Sequence, residues 1–362
     1  MNPHILRALP ELINAGILDE ETAGNIAAYY QNKKETAPNQ LFIIFGILGS
    51  ILVGAGLILI IAHNWDSMGS GFQTLLAFIP LLIGQAACLY TLLKQRESMA
   101  WREASSAFLF FAVGASIALI GQIYNIPGSA SGYIFTWMLL VAPLMYIMQS
   151  SIVSLLYIVL ITYYGYLIGY NWRGESQPHL YWLLLGIVLP YYYLLYKRSP
   201  NGSFMAFHHW LIPLSISSLL AALVGFNNIT YNFLLYSSLY GLFYNFGQTS
   251  FAGKANGYLV LGAIGGIVIF LIGSFRWFWG IFSIDEEFIY IDGLGITFNI
   301  LVAILTIVTL VWRYNKDNSI LNNPLNLLFL AYIPIFFIGM FSDVVAMILC
   351  NLTVAVLGIG II

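Results

Sequence analysis

Charge is the scarcest ingredient of this 362-residue chain: Asp, Glu, Lys and Arg together make up 8% of it. A water-soluble domain draws about a quarter of its residues from those four. With 13 basic and 15 acidic residues and a net charge of -2, a soluble surface is excluded and so is a basic face for nucleic acid. Cysteine is nearly missing as well. Cys88 and Cys350 both lie in apolar runs, which argues against a disulfide framework, a metal site or a redox pair. Also absent are a Walker A loop, a Rossmann fingerprint, a zincin histidine pair and a Gly-x-Ser-x-Gly elbow. No cofactor and no metal are expected, and an enzyme is the less favoured class.

What the chain has instead is apolar length, with 60% hydrophobic residues gathered in long runs. A bilayer's hydrocarbon core takes about 17–25 apolar residues per helical span. Spans are expected at 41–62, 72–93, 105–124, 133–148, 151–170, 180–196, 209–226, 229–246, 257–275, 294–312, 323–341 and 343–362. The fold class is thus all-α, a polytopic transmembrane bundle of about twelve spans. The turns at Gln149-Ser150-Ser151 and Gly225-Phe226-Asn227-Asn228 are tight, which keeps ten or eleven open. Runs such as 41–62 lack the alternation of a β-barrel, and this one is too long for a cleaved signal region.

The few charges orient the bundle, because Lys and Arg near span ends collect on the cytoplasmic side. With the N-terminus inside, eleven of the thirteen basic residues become cytoplasmic and only Arg173 and Arg276 fall outside. Dropping one span would reverse every later loop. Two domains are expected, a small cytoplasmic helical hairpin over 1–38 and the transmembrane part over 39–362, the latter a candidate for two weakly related halves. In the hairpin, Ile5, Leu6, Leu9, Leu12 and Ile13 recur at helical spacing and Gly16 ends the first helix. Asp19 caps the second, with Glu20 and Glu21 in its first turn and Ile26 and Tyr29 facing the first.

Polar residues inside or beside apolar runs are the candidate sites. His63-Asn64-Trp65-Asp66 follows the first span: an interface anchor, or a small polar site in which Asp66 sets the charge of His63. Asn171-Trp172 repeats the Asn-Trp pair after the fifth span. In the third span, Gly114-Ala115-Ser116 offers a small-residue face for close helix contact. Beyond it, Gln122 and Asn125 stand three apart around Tyr124, a spacing that predicts a shared helix face lining a polar pocket. Asn245 with Tyr244, and Gln248 beyond, is a counterpart in the eighth span. Gln85, Asn299 and Asn351 read as helix–helix glue, and His208-His209 as a weak metal candidate whose side chains diverge. The 276–292 loop, rich in Trp and Phe beside Asp285-Glu286-Glu287, suits the outer interface.

These features resemble a large family of predicted bacterial inner-membrane proteins of unknown function. The likeness rests on Ala15-Gly16-Ile17-Leu18, Gly54-Ala55-Gly56, Asn64-Trp65, Gly121-Gln122-Ile123-Tyr124, Trp137 and Pro143, and covers roughly 5–148. His63 departs from the small residue expected there, which weakens it as part of a shared mechanism. The resemblance implies a bacterial inner-membrane location and no biochemical role. Three functions compete. A carrier for a neutral or weakly polar, lipid-linked or small-molecule substrate would use Gln122, Tyr124, Asn125, His63, Asn64, Trp65, Asp66 and Asn245. A scaffold or sensor would dock a protein partner on the hairpin. An intramembrane enzyme comes third. Membrane lipid is a partner under all three.

Overall fold

A computed structural model describes residues 3–35, 65–170, 179–224, 229–250, 256–275 and 343–361, with scattered positions between 300 and 338. The first predicted span with His63 and Asn64, Asn171-Trp172 and the 276–292 loop lie outside the described residues, as does most of 294–341. The chain divides into two compact units, Met1–Gln73 and Thr74–Ile362.

In the first unit, α1 (Pro3–Asn14) and α2 (Glu20–Glu35) form a hairpin. Its turn follows from Gly16, whose φ of 70° lies in the left-handed region that glycine enters without a Cβ clash. Leu9 and Ala23 are buried between the helices and Ile26 is half-buried. Asp19 caps α2 by accepting from the Thr22 backbone N–H at 3.2 Å. The Thr22 bonds hold its carboxyl below the ordinary aspartate value. Later in the unit a single 3-10 turn, Trp65–Ser67, ends with Gln73 Nε2 donating to the Trp65 carbonyl at 2.8 Å.

Among its described residues, every regular element of the second unit is a helix, the first of them starting three residues before the boundary at Gln73. In chain order come α3 (Ser70–Lys94), α4 (Met99–Ile123), α5 (Ala130–Ile147), α6 (Ser151–Gly169), α7 (His179–Arg198), α8 (Ser203–Val224), α9 (Ile229–Ser250), α10 (Gly257–Gly273) and α11 (Asp343–Ile361). Five of them, α3 to α7, are long and apolar enough to cross a membrane. The protein is therefore a multi-pass helical membrane protein. The tight break expected after the fourth predicted span is present: Gln149 has φ 52°, and the Ser150 side chain accepts from the Val153 N–H to start α6.

The centre of the bundle is α6, packed by α4, α5, α7 and α8. Its Val153, Tyr157, Ile158 and Ile161 are wholly buried. Several polar side chains there bond to one another, while Tyr157 Oη is buried without a hydrogen-bond partner. Ser215 of α8 meets Thr162 of α6 at 2.5 Å and Tyr181 of α7 at 2.7 Å, and His208 bridges the Phe204 carbonyl and Ser154 Oγ. His208 sits more than a turn inside α8, because that helix starts at Ser203. A second apolar cluster joins α9, α10 and α11.

Candidate functional site

The site grows out of how α4 holds its two neighbours. Toward α3, Ser116 Oγ donates to the Ala77 carbonyl at 2.8 Å, a Cβ on Gly84 would stand 3.1 Å from the Leu109 backbone, and Thr91 Oγ1 donates to Ser105 Oγ at 3.2 Å. These levels run in opposite directions along the two helices, so α3 and α4 form an antiparallel pair. Toward α5, the Trp137 ring lies over Gly114, where a Cβ would come within 2.5 Å of it. Trp137 Nε1 donates to the Phe110 carbonyl and Tyr133 Oη to the Gly114 carbonyl, both at 2.9 Å. Gly114 and Ser116 do serve close helix contact, but from nearly opposite sides of α4, toward α5 and α3 respectively. Ala115 is exposed, so the face expected at 114–116 is not a single face.

Because α3 and α5 seat on different sides of α4, they part and leave a groove of about 970 Å³ between them. Its walls are mostly apolar, with Phe78 and Leu81 from α3, Ile117 from α4 and Leu140 and Pro143 from α5, beside Ser116, Tyr133 and Thr136. Pro143 has no N–H for the Leu139 carbonyl, so the helix bond at that level is missing. The 126–129 loop forms one end of the groove and Ile147 marks the other. The polar exception on α3 is Gln85. Its side chain is exposed to the groove and bonds to no described residue. An amide offers two donors and an acceptor, and leaving them unmet in hydrocarbon is unfavourable by several kcal/mol at most.

The segment 121–125 is placed differently from the expectation. Gln122 and Asn125 do not share a helix face, since α4 ends at Ile123 and Asn125 turns to φ 47°. The Ile126 N–H bonds to the Gly121 carbonyl at 2.9 Å and the Asn125 N–H to the Gln122 carbonyl at 3.3 Å. That pair of bonds is the Schellman ending of a helix, with asparagine in the left-handed position. Gln122, Tyr124 and Asn125 are thus brought together in a cap beside the groove, whose lining takes Gly121 and Ile126. Tyr124 Oη meets Thr74 Oγ1 at 3.0 Å.

Asn245 is not brought to this place. It is buried on α9, and its Nδ2 donates to the Gly241 carbonyl of its own helix at 2.9 Å. Trp65 opens the 3-10 turn of the first unit, and Asp66 follows it there. Among the described residues, no group of three or more His, Cys, Asp and Glu is placed to hold a metal ion.

One residue that the sequence reading passed over proves central. Glu103, in the first turns of α4, is buried and accepts from Ser150 Oγ at 2.5 Å and from the Ser151 and Ile152 N–H groups at 2.9 Å. A carboxylate at the positive end of α6 satisfies donors that no intrahelical carbonyl can reach. Nothing local signals this, because donor and acceptor stand 47 to 49 residues apart.

Residues 10–154 match the family model described as "Predicted membrane protein (DUF2157)". The matched stretch contains all three helices that wall the groove and closes just inside α6. Neither a curated protein nor a solved structure matches the chain.

Proposed function

We propose that this protein is a carrier for an amphipathic, weakly polar molecule whose acyl or isoprenyl chain lies in the groove between α3, α4 and α5. The observation that carries the reading is Gln85, an amide without a described partner on the wall of a membrane-level groove that is otherwise apolar on the same helix. A chain fills the apolar walls, and a hydroxyl, ester or amide near its polar end answers Gln85. A strongly ionic cargo is disfavoured, since the groove lining holds no Asp, Glu, Lys or Arg.

The setting is the bacterial inner membrane with the N-terminus in the cytoplasm. Support comes from Lys94, Arg96, Arg102, Lys197 and Arg198, the basic residues described in the second unit, which all belong to the helix ends at 94–102 and 197–198. The 126–129 end of the groove then faces outward. Gln122, Tyr124 and Asn125 flank that mouth as the cap that shapes it, and His63, Asn64, Trp65 and Asp66 keep the outer-rim role proposed from their order in the chain.

The test is photolabelling of the full-length protein in vesicles that contain a phospholipid with a diazirine on its acyl chain, read by peptide mass spectrometry. Label should concentrate in 78–147. Leu140→Trp, which fills the groove, should lower that labelling several-fold, and Gln85→Leu should lower it for lipids with a polar group near the chain. Leu183→Trp, on an exposed face of α7, is the control. Labelling spread evenly over all exposed helices, and unmoved by Leu140→Trp, would remove the binding reading. Flip of the same lipid between leaflets, lost with Leu140→Trp, tests carriage itself.

A further inference from the structure

A second cavity, of about 480 Å³, lies where the starts of α4, α6 and α8 meet the ends of α5 and α7. It is lined by two guanidinium side chains, Arg102 and Arg198, and by one carboxylate, Glu103. Glu103 is already committed to the N-terminus of α6 through three donors. It makes no ion pair with either arginine. Arg198 Nη1 donates to Gln149 Oε1 at 2.7 Å, a neutral partner. Arg102 Nε is buried and has no hydrogen-bond partner. A buried donor on a cation is costly to leave unmet, more so than a neutral one. The start of α8 adds to the same field: Ser203 and Phe204 line the cavity, so the positive end of that helix faces it.

We infer that this cavity is a binding site for a phosphate-type oxyanion, held by Arg102 and Arg198 with the first turn of α8 behind it. Two positive side chains against one occupied carboxylate leave an excess cation in the lining. Guanidinium forks match phosphate oxygens two at a time. The space is several times what a lone carboxylate fills, and accepts a phosphate together with a glycerol-sized group. That phosphate arrives either on the headgroup of an anionic lipid or on a soluble phosphomonoester. The site is separate from the apolar groove and stands whether or not the carrier reading does.

The test is thermal unfolding of the purified full-length protein in detergent, titrated separately with phosphatidylglycerol, phosphatidylcholine, glycerol 1-phosphate and inorganic phosphate. A rise in midpoint with phosphatidylglycerol, and none with phosphatidylcholine, supports the site and assigns it to a lipid. A rise with glycerol 1-phosphate or inorganic phosphate as well supports it and extends it to soluble phosphates. Arg102→Gln and Arg198→Gln should each weaken the apparent affinity about tenfold, the loss of one charged hydrogen-bonding partner. Arg198→Lys should fall between, which keeps the test valid if Arg102→Gln folds poorly. Lys94→Gln, at the same end but off the lining, should bind as the wild type does. The inference is overturned if no anion raises the midpoint, or if Lys94→Gln weakens binding as much as Arg198→Gln.

Discussion

Two helix pairings in this bundle treat space in opposite ways. Where α9 meets α10, a Cβ on Gly262 would stand 2.4 Å from the Tyr244 backbone nitrogen and 2.7 Å from the Tyr240 carbonyl oxygen. Where α3 and α5 flank α4, about 970 Å³ is left open. Polar residues follow that division only in part, since Gln248 Oε1 of α9 is buried without a hydrogen-bond partner. In the closed pairing, Asn256 caps α10 through the Leu259 N–H and also donates to the Gly247 carbonyl, while Asn245 bonds within α9. In the open one, Gln85 has no described partner. A polar residue in an apolar run is therefore not informative by type. What decides its role is whether its own helix backbone or a neighbouring helix takes its hydrogen bonds.

The strongest way to break this contrast is Gly262→Val. The atoms in its way are backbone, which cannot step aside as a side-chain tip does, so the substitution should cost about 3 kcal/mol, the top of the usual overpacking range. Equilibrium unfolding of the purified protein checks it. A variant as stable as the wild type would mean that α9 and α10 are not in close contact.

Glu103→Ala comes next and probes how the open side is tied to the core. It strips a buried acceptor from Ser150 and from two N–H groups of α6, at about 2 kcal/mol. Hydrogen exchange at Ser151 and Ile152 should quicken with it. Glu103→Gln keeps an acceptor oxygen and should fall between the two. An unchanged exchange rate would show that the start of α6 is held by something other than this carboxylate.

Five of the expected spans were legible because hydrocarbon length leaves a plain mark: the expected 72–93 and 151–170 became Ser70–Lys94 and Ser151–Gly169. The hairpin was legible for local reasons, a left-handed glycine and an aspartate cap. The groove was not, since it depends on two helices seating on different sides of α4. Gln122 and Asn125 misled because their spacing presumes a helix that stops at Ile123, and the signal for the stop was Pro127 just beyond. Glu103 belongs to no motif that singles it out. Its partners lie in another helix, beyond the reach of any local pattern.

A smaller effect is expected from Ser116→Ala. Its hydroxyl links α4 to the Ala77 carbonyl of α3, and such interhelical bonds average about 0.6 kcal/mol in membranes. The groove should survive, because Gly84 and Thr91 hold the same pair lower down. Photolabelling of 78–147 should therefore stay at the wild-type level while the unfolding midpoint drops slightly. A large loss of labelling would show that the groove depends on that single bond.

The smallest effect tests the contrast most cleanly, since it separates contact from residue type. Gly186 lies inside α7, exposed, and a Cβ there would meet nothing within 4 Å. Glycine inside a helix is less favourable than alanine by about 0.5–1 kcal/mol, largely because the unfolded chain has more freedom to lose. Gly186→Ala should accordingly stabilise slightly, whereas Gly262→Ala, with the same atoms added, should destabilise. Opposite signs from one chemical change can come only from the space around each residue. If both variants shift the same way, glycine in this bundle acts through the backbone alone and the distinction between a closed and an open pairing loses its physical basis.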